Sequence, residues 1–201
     1  MRLPLLLALA LCSPASLAEC SCLWRGSFVD VHPDTDLVIA GWVADGRGNS
    51  IDMQITRVLR GPDYIEQARV WLRTADYCRP APERFPAGSA WVMALARIDS
   101  VPEGGFDPNT PDVSYGRKGD YVLSSCGGYW LQLTDNRVSG ALVDSARWAR
   151  DPKMTPVLLD VVEAHVNGRI DDDAVLEASR EDPAVKKLML DTKEFLRSIR
   201  E

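Results

Sequence analysis

Residues 37–43 are Leu37-Val38-Ile39-Ala40-Gly41-Trp42-Val43, an uninterrupted apolar run whose β-branched and aromatic content is typical of a buried strand. Ile51, Met53 and Ile55 then alternate with polar neighbours, which predicts a half-buried second strand. Further strands are predicted at residues 69–74, 90–98, 121–125 and 129–133. Turn signals rich in Gly, Pro, Asp and Asn separate them, at residues 45–49, 61–63, 79–82 and 127–128. Short strands with such turns indicate a small closed or partly closed barrel.

The apolar period becomes helical after residue 151. One stripe consists of Val157, Leu158, Val161 and Val162 and ends at Asn167-Gly168. A second stripe consists of Val185, Leu188, Met189, Leu196 and Ile199, introduced by an Asp182-Pro183 cap, and a shorter helix is predicted to begin near Asp173. The chain is therefore divided into a barrel unit at residues 19–145 and a helical extension at residues 146–201, mainly β with C-terminal α.

The N-terminus has the pattern of a cleavable signal peptide. Arg2 precedes the apolar run at residues 5–11, and Ser16-Leu17-Ala18 forms a small-x-small cleavage site before Glu19. The apolar run is too short to span a bilayer. We therefore predict a signal peptide at residues 1–18, no membrane span, and a secreted or periplasmic product that begins at Glu19.

Four cysteines remain after that cleavage, namely Cys20, Cys22, Cys78 and Cys126. An even set is expected of two disulfides formed in an oxidising compartment. A Cys20–Cys22 bridge would close a small strained ring, whereas residues two apart in an extended segment face the same side. Cys20 and Cys22 are thus each expected to bond one of Cys78 and Cys126, in either pairing. The cysteines are not clustered in sequence as metal ligands are, so neither a metal nor a cofactor is predicted.

Charge and composition exclude some classes of partner. The 201-residue chain has a formal net charge of −6, which argues against a nucleic-acid partner because such proteins present a large basic surface. The acidic run at residues 171–173 is interpreted as capping charge at a helix N-terminus. Among the tryptophans, Trp71 and Trp130 are expected to be the most exposed.

With these features together, residues 20–135 resemble the netrin-like domain of the tissue inhibitors of metalloproteinases, a five-stranded OB-fold barrel. The resemblance rests on the Cys20-Ser21-Cys22 start, the strand at residues 36–43, the strand at residues 55–60 that runs into Gly61-Pro62, and the later Cys78 and Cys126. It implies the disulfides Cys20–Cys78 and Cys22–Cys126.

The resemblance also implies a function, which is non-catalytic binding of a protein partner and, by analogy, inhibition of an exported protease. The residues that correspond to the family's binding edge are Ser21, Leu23, Asp76 and Tyr77. In that family the free amine of the first cysteine chelates the protease zinc. Because the predicted cleavage leaves Glu19 ahead of Cys20, the nitrogen of Cys20 is an amide, and we expect weak zinc chelation.

Two alternatives remain at this stage. The first is an exported enzyme of unknown chemistry in which Cys126 or a serine near it, in the segment Ser124-Ser125-Cys126-Gly127-Gly128, is a nucleophile and His165 is its base. Completion of the disulfide set by Cys126 and ordinary half-burial of His165 explain the same residues, so no catalytic residue is predicted. The second alternative is a structural envelope protein whose helices dock a partner.

Overall fold

The structure is a computed structural model that describes residues 21–74, 77–110, 113–146 and 154–180. These residues contain one eight-stranded sheet. Its strands are β1 (Leu37–Arg47), β2 (Ser50–Arg60), β3 (Gln67–Trp71), β4 (Ala90–Arg97), β5 (Tyr121–Val122), β6 (Trp130–Thr134), β7 (Arg137–Gly140) and β8 (Val157–Leu158). The helices are α1 (Phe28–Val31), α2 (Leu159–Val166) and α3 (Asp172–Ser179), with short 3-10 helices η1 (His32–Asp34) and η2 (Pro82–Arg84).

The first five strands close into a barrel. Neighbours follow the order β1, β2, β3, β5, β4, and β4 then pairs with β1 to complete the circle. All of these pairings are antiparallel except the one between β3 and β5. The closed five-stranded barrel predicted from the sequence is confirmed, and it is consistent with an OB-fold-like barrel. Strands β6, β7 and β8 continue the sheet from β4.

Close approach of the two longest strands explains the glycine inside β1. The register between β1 and β2 shifts between Ala40 and Gly41, where β1 bends. A Cβ atom at Gly41 would collide with the backbone carbonyl of Gln54 on β2, so only glycine fits there. The hydrophobic core is filled by fully buried apolar side chains, of which the largest are Phe28, Phe85, Leu37, Ile39, Met53, Leu72, Met93, Leu95, Leu123, Leu131 and Leu142.

Some elements differ from the sequence prediction. Val157 and Leu158 were expected to begin a helix, but they form β8, and Val157 pairs with Val138 of β7. Trp71 was expected to be exposed, yet it is 2% exposed, and its Nε1 donates a hydrogen bond to Asp120 Oδ2 at 2.9 Å. A partner for the indole N–H made burial of this large side chain favourable.

The helices of the extension begin and end at ordinary capping signals. Helix α2 ends at Val166 as predicted, and Gly168 adopts the left-handed conformation (φ 67°) that terminates it. Asp171 caps α3 by accepting a hydrogen bond from the backbone N–H of Ala174 at 3.0 Å. The predicted signal peptide at residues 1–18 and the predicted helix after Asp182-Pro183 lie outside the described residues. Of the helices described here, none has the length and apolar character needed to cross a membrane.

Candidate functional site

A disulfide fixes the N-terminal segment to the barrel. Cys22 and Cys126 are bonded across a sequence separation of 104 residues, with their Cα atoms 5.8 Å apart. The sulfur atoms of Cys22, Cys78 and Cys126 all lie within 4.8 Å of one another. Cys78 is also disulfide-bonded. Its predicted partner, Cys20, lies outside the described residues, so the Cys20–Cys78 bridge stays a prediction.

Backbone hydrogen bonds hold the same segments together. The N–H of Arg25 donates to the carbonyl of Cys126 at 2.8 Å, and the N–H of Ser125 donates to the carbonyl of Cys78 at 2.9 Å. The indole of Trp24 donates to the carbonyl of Ser145 at 3.1 Å. The three segments at residues 21–25, 77–79 and 124–126 are therefore one rigid unit.

Three exposed side chains of this unit, Ser21, Leu23 and Tyr77, belong to the predicted binding edge. We call these three residues the N-terminal ridge. Ser21 is exposed, Leu23 is 88% exposed although apolar, and Tyr77 is 39% exposed. The Tyr77 ring stands edge-on to the ring of Tyr115, with the centroids 4.7 Å apart, and the buried guanidinium of Arg79 lies against both rings. Asp76, the fourth predicted residue, lies outside the described residues.

The residues of the enzyme alternative are engaged elsewhere. The sulfur of Cys126 is bonded to Cys22, so it is not a thiol nucleophile in this structure. Both ring nitrogens of His165 face other side chains, namely His32 and Asp172. Neither group is placed to act as a nucleophile and base pair here.

A second cluster joins the barrel to the helices, and we call it the histidine bridge (Arg60, His32, His165 and Asp172). Arg60 Nη1 lies 3.2 Å from His32 Nδ1. His32 Nε2 lies 3.1 Å from His165 Nδ1. His165 Nε2 lies 2.6 Å from Asp172 Oδ1. All four imidazole nitrogens therefore have a polar neighbour.

Each member of the bridge is positioned by a different element. His32 begins η1, and its carbonyl accepts hydrogen bonds from Arg60 at the end of β2 and from the hydroxyl of Thr35. His165 lies in the last turn of α2, and Asp172 begins α3. Desolvation is the largest cause that lowers the pKa of His32, to about 4, and the neighbouring Arg60 and His165 lower it further.

The bridge lies in an open cleft of about 800 Å³. Apolar walls come from Val29, Pro33, Val166 and Ile170, and the acidic residues 171–173 form part of its lining. His32 is 4% exposed and Asp172 remains largely exposed at its carboxylate. The lining of the cleft thus combines residues of α1, η1 and β2 with residues of α2, α3 and their connection.

The contact between the two histidines was not predicted from the sequence. They are 133 residues apart, and nothing local to either residue indicates the other. One available signal was that these are the only two histidines of the chain. The other was the seven-residue separation of His165 and Asp172 across the predicted turn at Asn167-Gly168, which returns the chain past the end of α2.

Comparison with protein-family models, with curated proteins and with solved structures finds no match to this chain.

Proposed function

We propose that this chain is an exported, non-catalytic protein-binding module of netrin-like type, and that the N-terminal ridge is its binding edge. The observation that carries the proposal is the exposure of Leu23, an apolar side chain that is 88% exposed and adjacent to a disulfide-bonded cysteine. The Cys22–Cys126 bond also fits export, because structural disulfides persist in oxidising compartments.

Rigidity is what makes an exposed apolar side chain useful in binding. A segment that is already ordered loses little conformational entropy when a partner covers it. Leu23 lies between Cys22, which is cross-linked, and Trp24, whose indole is hydrogen-bonded to the carbonyl of Ser145. Tyr77 adds a partly exposed aromatic ring fixed against Tyr115, and tyrosine is enriched among the residues that dominate interface energetics.

The finer form of the proposal is inhibition of an exported zinc protease. It rests on the resemblance of residues 20–135 to the tissue inhibitors of metalloproteinases, in which the amine of the first cysteine binds the zinc. A protein that begins at Glu19 has an amide at Cys20, which is a poor metal ligand, whereas a protein that begins at Cys20 has a free amine. Inhibition should therefore depend on the mature terminus.

The test of binding compares Leu23→Asp with a matched control, Tyr64→Asp, which changes another highly exposed apolar residue (81%) outside the ridge. Partners are captured from exported proteins by immobilised wild-type chain, identified, purified and titrated against all three forms. We expect Leu23→Asp to raise the dissociation constant at least tenfold and Tyr64→Asp to leave it unchanged. Equal effects of both substitutions would refute the ridge as the binding edge.

The test of inhibition uses two purified forms, one beginning at Glu19 and one beginning at Cys20, against a zinc endopeptidase and a serine protease. We expect the Cys20 form to inhibit the zinc enzyme more strongly and neither form to inhibit the serine enzyme. Potent inhibition by the Glu19 form would contradict the chelation argument. No inhibition by either form would remove the inhibitor proposal and leave protein binding to be decided by the Leu23 comparison.

A further inference from the structure

The histidine bridge has one consistent arrangement of hydrogens. An arginine can only donate, so Arg60 must donate to His32 Nδ1. An ionised carboxylate can only accept, so Asp172 must accept from His165 Nε2. His32 then carries its hydrogen on Nε2 and donates it to His165 Nδ1. Both imidazoles are neutral, and the two ends of the bridge determine both tautomers.

A proton added to either imidazole disrupts this arrangement. The bridge has three contacts between polar atoms, and Arg60 and the two neutral imidazoles supply one hydrogen to each. A fourth hydrogen on either ring leaves two donors facing each other at one contact. The buried position of His32 makes that mismatch costly, since water cannot easily relieve it.

One of the three contacts lies between the barrel and the helices. Arg60 and His32 belong to β2 and η1, which are part of the barrel unit, whereas His165 and Asp172 belong to α2 and α3. The central contact, from His32 Nε2 to His165 Nδ1, is therefore a link between the two parts of the chain.

The other charged groups near the bridge leave this argument unchanged. Arg57 of β2 pairs with Asp160 and Glu163 of α2, at 2.6 and 2.9 Å. Asp34 of η1 pairs with Arg25, and the carboxylate of Asp36 accepts the backbone N–H of Arg97. The remaining charged groups on α2, α3 and their connection are Arg169, Asp171, Asp173 and Glu177. None of these groups makes a hydrogen bond to the two imidazoles among the contacts of the described residues.

A metal ion does not explain the cluster. A zinc ion bound to His32 Nε2 would require the hydrogen of the neutral ring to lie on Nδ1, where it would face the N–H of Arg60. The only group of three or more potential ligands close enough to share an ion among the described residues is the cysteine cluster, not this one.

We propose that the histidine bridge is a proton-sensitive latch that holds helices α2 and α3 on the barrel at neutral pH and loosens them in mildly acidic surroundings. The proposal concerns the histidine bridge alone and does not depend on the N-terminal ridge. A protein exported to a compartment whose acidity varies would thereby change the exposure of its helices without unfolding its barrel.

The first test measures hydrogen exchange of the α2 and α3 amides between about pH 7.5 and pH 5, corrected for the intrinsic pH dependence of exchange. The pKa of His32 is lowered from 6.5 to about 4 in the closed form, so the opening equilibrium constant should rise roughly 30-fold over this range. The amides of β1 and β2 exchange through a separate and less frequent opening, so they should stay more protected than those of α2 and α3 at every pH. A flat profile for α2 and α3, or equal opening equilibrium constants for the helices and the barrel strands throughout, would overturn the proposal.

The matched control is the double variant His32→Gln/His165→Gln. Glutamine can donate and accept through its amide but does not titrate, and the chain contains no other histidine. We expect the double variant to lose the pH dependence of exchange in α2 and α3. Retention of the full dependence in this variant would show that other groups cause it and would refute the latch.

A second measurement does not require any variant to fold. Nitrogen NMR of the wild-type imidazoles at neutral pH should show both rings neutral, with the hydrogen on Nε2 in each. A hydrogen on Nδ1 of either ring, or a charged imidazole, would contradict the arrangement of the bridge and thus the latch.

Discussion

The N-terminal ridge and the histidine bridge are nine residues apart at their nearest points in sequence, Leu23 and His32, yet they are held by different chemistry. The ridge is fixed by a covalent bond, Cys22–Cys126, which is indifferent to mild changes of pH. The bridge is fixed by contacts between neutral rings, His32 and His165, which persist only while neither ring gains a proton. One region is therefore sensitive to reduction and the other to acidification.

The segment between them explains how the two can be independent. Phe28 is fully buried, and Ser27 is fixed on two sides, since its N–H bonds Asp30 and its hydroxyl accepts from the N–H of Ser145. The short helix α1 thus anchors the chain in the core between the two sites. A binding edge benefits from permanent rigidity, whereas an attachment that must be released needs a weaker and reversible link.

The largest effect is expected from removal of the disulfide. The double variant Cys22→Ser/Cys126→Ser should lower the free energy of unfolding by about 2–5 kcal/mol, because the bond closes a long loop. Both cysteines are replaced so that no free thiol remains within 4.8 Å of Cys78, where it would invite exchange. Chemical denaturation of oxidised wild type and variant gives the difference.

Reductant supplies the control for this prediction. Reduced wild type should lose at least as much stability as the double variant, while its pH profile between about pH 7.5 and pH 5 should keep its shape. An unchanged melting temperature in reductant would show that the bond does not support the fold.

The next-largest effect is a loss of stability at low pH, which involves the histidine bridge and not the ridge. The pKa of His32 in the folded chain, about 4, lies below its unfolded value of 6.5. As the pH falls through that window the unfolded chain binds a proton first, so the stability present above pH 6.5 declines until the pH reaches about 4. The loss amounts to about 3 kcal/mol for this one group.

Denaturation of wild type and of His32→Gln at a series of pH values measures this loss. Carboxylates also titrate near the lower end of the window, and they contribute equally to both proteins, so the difference between the two curves isolates the imidazole. Parallel curves would show that His32 titrates normally in the folded chain.

Much of the fold was predictable because strand periodicity is a local property. The apolar run of β1 and the alternation in β2 are visible without any knowledge of their partners. Strand β7 was missed because it is four residues long and has a single buried position, Val138. Its best signal was the turn at Asp135 and Asn136, both with positive φ, which is typical of a two-residue hairpin.

The two sites also differ in how far local sequence patterns could predict them. The number and spacing of the cysteines predicted that the ridge is fixed by disulfides but left two pairings open, and Cys22–Cys126 was predicted only through the resemblance to the netrin-like domain. The histidine bridge was not predicted, since His32 and His165 are brought together only when α2 packs on the barrel. Burial of Val162 and Val166 in that packing, rather than any motif, determines where His165 lies.

A smaller effect is expected from Arg57→Gln. Arg57 pairs with Asp160 and Glu163 and so provides a second link between β2 and α2. Its side chain is 39% exposed, so we expect a loss of at most about 1 kcal/mol in the local stability of α2. Hydrogen exchange of α2 measures it.

Salt and pH distinguish this link from the histidine bridge. High salt should reproduce much of the Arg57→Gln effect in wild type, because partly exposed ion pairs are screened. The pH dependence of α2 exchange should remain in the variant. Loss of that dependence on substitution of Arg57 would mean that the ion pairs, not the imidazoles, control the attachment of α2.

The smallest effect on stability is expected from Leu23→Ala, which alters the ridge without changing the Cys22–Cys126 disulfide that fixes it. Leu23 is 88% exposed, so its truncation should change the free energy of unfolding by no more than about 0.5 kcal/mol. Leu131→Ala provides the contrast, since Leu131 is fully buried and its truncation should cost about 2–5 kcal/mol. Both are measured by chemical denaturation of the oxidised protein. A residue that contributes nothing to folding and yet weakens partner binding when truncated is exposed for recognition. If Leu23→Ala instead destabilises the chain as Leu131→Ala does, then Leu23 supports the fold, and the argument that it is held out for a partner fails.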